Sequence, residues 1–89
     1  MFKTETLIRV RVKFQADFAY LAANTPAMWE SLEAQPDGSV IAAMSMPDLV
    51  MACVFVMSYG PAVTVIEPEE LRHMVREWAA AMVAQYNGG

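Results

Sequence analysis

The sequence predicts a small α+β domain whose elements follow the order β-α-β-β-α-β-α. Three observations predict it. Residues 8–14 alternate between apolar and basic side chains. A Pro36-Asp37-Gly38 turn joins two extended runs. Two segments led by prolines, Pro47 and Pro68, carry helical signals.

Thr6 to Gln15 reads as the first strand, with Ile8, Val10, Val12 and Phe14 pointing one way and Arg9, Arg11, Lys13 and Gln15 the other. Asp17 to Ala23 sets Phe18, Leu21 and Ala22 at helical spacing, and Asn24-Thr25-Pro26 stops that helix. Trp29 to Gln35 and Ser39 to Met46 form a β-hairpin, its second run weaker because alanine and methionine are poor strand formers. Pro47 suits the first position of a helix, with Asp48 near the positive end of its dipole. This helix runs from Asp48 to Ser58, is apolar on every side, and stops at Gly60 in a left-handed turn. Ala62 to Ile66 is the fourth strand, with Val63 and Val65 on one face. Pro68 opens the last helix, whose stripe is Leu71, Met74, Val75, Trp78, Met82 and Gln85, with Arg72, Arg76 and Glu77 outside it. Phe55 and Trp78 are expected to be largely buried.

With right-handed crossovers, the first six elements make a ferredoxin-like split βαβ sheet of order 4-1-3-2. The first strand is then central, the helices cover one face, and the additional C-terminal helix docks separately. One domain spans 1–89, with its core in 6–86 and flexible ends at 1–5 and 87–89.

Composition excludes several classes. A chain that is 56% hydrophobic and 18% charged is no disordered tail. Its formal charge of −4 repels phosphate on average, so nucleic-acid or anionic-membrane binding needs a local basic patch. A single cysteine, Cys53, leaves no internal disulfide, which suits a cytoplasmic setting. The N-terminal MFKTETLIRV lacks the unbroken apolar run of a signal peptide. The uncharged stretch from Leu49 to Ile66 is broken by Ser58-Tyr59-Gly60-Pro61, so it reads as a buried helix followed by a strand rather than a membrane span.

No catalytic set emerges, and the expectation is a non-enzyme without metal or cofactor. His73 and Cys53 lie on different helices, short of the four ligands of a zinc site, and read as a solvent-facing histidine and a buried, small apolar cysteine. No glycine-rich phosphate loop is present, and Ser31, Ser39, Ser45 and Ser58 have no base nearby in sequence. Glu67, Glu69 and Glu70 read as favourable charge at a helix start. Two features remain. Arg9, Arg11 and Lys13 share the strand face opposite the core, where four of the six basic residues fall between Lys3 and Lys13. Such a face can track a single-stranded nucleic acid or a nucleotide, although stacking aromatics are missing; it can equally be a solvated face paired with Glu30, Glu33 or Glu67. The second feature is the all-apolar helix, whose outer residues Val50, Val54 and Met57 are covered either by the last helix or by a partner chain.

From Phe55 to Gly60 the chain reads FVMSYG, and from Val63 to Arg72 it reads VTVIEPEELR. This resembles the WCX domain, the C-terminal extension of bacterial transcription regulators carrying a WYL domain. That family runs as an aromatic residue shortly before SFG, then V.V..P..LR, then a closing tyrosine, matched here by Tyr86. The first strand LIRVRVKF and the Asp37-Gly38-Ser39 turn agree with it, and the resemblance covers Thr6 to Tyr86. Phe55 stands where relatives often have tryptophan, and the second helix is more apolar than usual in the family.

The resemblance implies a regulatory module that helps hold a homodimer and contributes to the effector-binding surface. It implies winged-helix and WYL domains as partners in a full-length regulator. Neither of those domains is matched in this chain, which would not bind operator DNA unaided. A stand-alone ferredoxin-like small-molecule sensor is the alternative, and it would show a polar dimer cleft.

Overall fold

The computed structural model describes residues 7–88. Strand β1 (Ile8–Phe14) leads through a 3-10 turn at Ala16–Phe18 into a short helix α1 (Ala19–Ala23). A second such turn at Pro26–Met28 precedes β2 (Ser31–Ala34), which pairs with β3 (Val40–Met46). Helix α2 (Leu49–Met57), a turn at Gly60–Ala62, strand β4 (Val63–Glu67) and helix α3 (Glu69–Asn87) complete the chain. The four strands form one sheet of order β2-β3-β1-β4, every neighbouring pair antiparallel. The first strand is central, as the order of the elements with right-handed crossovers predicts. A strand inside a sheet must offer one face to a core and the other to solvent or a partner. Thr6, assigned to this strand from sequence, lies outside the described residues, as do 1–5 and Gly89 of the ends expected to be flexible at 1–5 and 87–89, while Asn87 closes α3.

Local chemistry fixes the ends of the elements. Asp37 accepts hydrogen bonds from the Ser39 amide at 2.9 Å and from its hydroxyl at 2.6 Å, and Gly38 takes φ +92°, so the hairpin turn is locked by side chain and backbone together. Asp48 proves to be the N-cap of α2 rather than a first-turn residue. Its carboxylate accepts from the Met51 amide at 2.8 Å, and Pro47 stands outside the helix. Gly60 takes φ +61°, the left-handed turn expected after α2. The long apolar stretch is thus broken where the sequence places the break, and no described helix is long and apolar enough to cross a membrane. Glu67 differs from expectation. It ends β4 and pairs with Arg11, while only Glu69 and Glu70 occupy the first turn of α3.

The core collects one face of the sheet and one side of each helix. Val10, Val12 and Phe14 of β1, Ala42 of β3 and Val65 of β4 pack with Ala22 of α1, with Ala52, Cys53 and Val56 of α2, and with Leu71 of α3. Trp29, between α1 and β2, is only 8% exposed and meets the Phe14 ring edge-on at 5.5 Å. Tyr59 and Phe55 complete that aromatic group, with centroid distances of 5.2 Å (Phe14–Tyr59) and 5.8 Å (Trp29–Phe55). Phe55 and Trp78 pack against this core and are largely covered, without being enclosed by it. Trp78 keeps an open edge because α3 outruns the sheet. Leu71 is its one fully buried residue, Met74, Val75 and Trp78 are partly covered, and 79–88 are exposed throughout. The Cα radius of gyration, 14.4 Å, exceeds the roughly 12 Å of a compact chain of this length, as a projecting helix requires.

Candidate functional site

Two surfaces result from this packing. On the open side of the sheet, the pairing register aligns Arg9 with Ser45, Arg11 with Ala43, and Lys13 with Ile41. Ser31 and Glu33 continue those rows on β2, while Glu67 and Thr64 flank Arg11 and Lys13 on β4. Directly paired residues share a face, so all three cations stand on the open side. Two of them have partners. Arg11 Nη1 lies 3.0 Å from Glu67 Oε2, and Lys13 Nζ lies 3.9 Å from Asp37 Oδ2. Both pairs are solvent-exposed, so each contributes little to stability. Among the described residues Arg9 has no ion pair. The carboxyl of Asp37 is held below the usual range, chiefly by the Ser39 hydroxyl, then by the Ser39 amide, with a smaller contribution from Lys13. No aromatic side chain stands on this face of the four strands.

The second surface is apolar. Helix α3 packs along one flank of α2 and leaves its outer side bare. Val50 is 52% exposed and Val54 56%, with Met51 beside them. Met57, three residues after Val54, is half-buried at the edge of this face that turns toward α3. It lines a groove of about 700 Å³ between α3 and the end of α2. Val56, Pro61 and Val63 form one wall of this groove and Val75, Met82 and Val83 the other, with Arg72 and Arg76 at its margin. Sequence periodicity did not isolate this groove. The stripe read from sequence mixes the residues that reach the core, Leu71 to Trp78, with Met82 and Gln85 beyond it. The signal was the uncharged run after Glu77, where alanine, methionine and valine continue past the end of the sheet.

The remaining chemistry is sparse. Cys53 is fully buried, its Sγ 3.7 Å from Met57 Sδ, and burial pushes its thiol pKa up. Burial raises the Tyr59 phenol likewise. His73 is exposed, 3.5 Å from Glu69 one turn earlier. Among the described residues, no three of histidine, cysteine, aspartate and glutamate come together as metal ligands.

The sequence profile of the WCX domain matches residues 6–83. The chain belongs to the WCX family. The WCX domain is a regulatory domain of WYL-type regulators, so the resemblance read from FVMSYG and VTVIEPEELR identifies the right family. The structure is similar to proteasome accessory factor B/C (PafBC) of Arthrobacter aurescens, with a TM-score of 0.74 and 30% identity over 93% of this chain. The WCX domain described here spans 13% of the length of that protein. No curated protein matches it.

Proposed function

We propose that this WCX domain is the C-terminal regulatory and oligomerisation module of a WYL-type transcriptional regulator. It acts without catalysis in the cytoplasm, helping to hold a homodimer and to form the surface where an effector is read. The strand order and antiparallel pairing support a ferredoxin-like split βαβ core with an appended helix. The observation that carries the reading is the bare outer face of α2, in a chain of the WCX family. Val50, Met51 and Val54 stand in water on a helix whose opposite side is fully buried, and exposed apolar patches of that kind mark interfaces.

The cationic row on β1 is the effector-facing part of this proposal. Arg9, Arg11 and Lys13 recur every two residues, about 6.6 Å apart along the strand. That spacing approaches the phosphate repeat of an extended single strand, so a nucleotide or single-stranded nucleic acid fits without base readout. Two of the three charges are already neutralised by Glu67 and Asp37, and the isolated domain therefore binds weakly. Titrating a short fluorescent single-stranded oligonucleotide at low and moderate salt should show weak binding that salt removes, and Arg9→Glu with Arg11→Glu should abolish it. Equal binding by that double variant would reduce the row to a solvated strand face.

The dimer is tested by light scattering on the 89-residue chain. Val50→Glu with Val54→Glu should convert a two-chain mass into a folded single chain, because both side chains already face solvent. A mass unchanged by the pair would remove the α2 face from the interface.

A further inference from the structure

We infer that the groove beside α3 is the seat of α3 from a second copy of this chain, laid antiparallel across a two-fold axis at Ala79. The inference rests on the dimer reading above and names the element that completes it. Three observations lead to it.

The first is the unsupported half of α3. Residues 79–87 carry no charge and are exposed, with Val83 at 56% and Tyr86 at 81%. Half a helix without packing gains little, because helical stability in proteins comes mainly from tertiary contact.

The second is self-complementarity. Seven of the eight α3 residues that line the groove, all but Asn87, are placed symmetrically about Ala79. A two-fold axis there sets Val75 against the partner's Val83, Arg76 against the partner's Met82, and Arg72 against the partner's Tyr86. The small residue at the centre lets the two helices approach closely, valine meets valine on either side, and the arginine planes fall on a tyrosine ring or an apolar stem. An isologous contact needs one patch that matches itself, and this one does.

The third is charge. The last turn of α3 contains no basic residue, so the negative end of its dipole has no cation of its own. Antiparallel seating brings the partner's Arg72 to that end. Among the described residues, Arg72 is held within its own helix only by a 4.0 Å contact to exposed Glu69. Met57, which lines the same groove, joins it to the Val50 and Val54 face, so the interface is continuous from α2 to α3.

The test places one cysteine at the proposed axis. Cys53 is fully buried and does not compete. Under mild oxidation Ala79→Cys should form a disulfide-linked dimer, while Ala81→Cys, on the opposite side of α3, should remain single. Val83→Glu should bring the solution mass from two chains to one with its circular dichroism unchanged. A dimer that survives Val83→Glu, fails to cross-link through Ala79→Cys and is lost in the Val50→Glu, Val54→Glu variant would overturn the α3 seat while leaving the α2 dimer standing. A single-chain mass for the unaltered protein at every concentration would overturn both.

Discussion

Trp29 is the residue on which the aromatic core turns. Its ring meets Phe14 and Phe55, yet its indole nitrogen is buried without a hydrogen-bond acceptor among the described residues. A buried, unpaired donor costs free energy that a phenyl ring would not. Trp29→Ala should therefore cost about 3–5 kcal/mol in denaturant unfolding, and Trp29→Phe much less. Equal losses for both would show that the indole nitrogen has a partner. Cys53 gives a pH-dependent counterpart. Burial raises its thiol pKa, so the folded state keeps a proton that the unfolded state gives up at lower pH. Its contribution is complete below the unfolded thiol value and is lost as pH rises above it. Labelling with a thiol reagent should accordingly follow unfolding, and fast labelling of the native protein would contradict the buried thiol. At this scale the sequence was informative about Cys53, whose lone apolar setting reads as burial. It placed Trp29 at the start of the first hairpin strand, which begins only at Ser31, and a residue before a short edge strand has no periodicity to reveal which way it points.

Among the elements, β1 was the most legible, since strict alternation of apolar and basic residues leaves only one way to lay a strand on a core. Helix α2 was legible in extent, with its cap shifted to Asp48. A helix that is apolar all round has no preferred face of its own, and of the three residues read as outer, Val50 and Val54 are exposed while Met57 is half-buried toward α3. Helix α3 carried a clear stripe whose depth of burial depended on how far the sheet reaches, which is a tertiary quantity. That difference is measurable. Leu71→Ala should cost about 2–5 kcal/mol, as a fully enclosed leucine does. Trp78→Ala should cost less, about 2 kcal/mol, because its ring is only partly buried against the core rather than enclosed by it. A larger loss at Trp78 than at Leu71 would mean that α3 is docked along a greater length than its exposure indicates.

At the level of the whole molecule, a single sheet with helices on one side produces two unlike surfaces. The open sheet face carries a short cationic row on a net acidic chain, partly neutralised by its own carboxylates. The helical side carries an apolar face on α2 that runs through Met57 into the α3 groove. Under the function proposed above, the first surface would meet an effector and the second another copy of the chain. The most direct measurement is amide hydrogen exchange of the chain at high and low concentration, read across residues 79–87. If copies associate through this apolar surface, those amides should be protected in the concentrated sample and exchange rapidly on dilution, while β1 remains protected in both. Exchange in 79–87 that is equally fast at both concentrations would contradict association through the helical side.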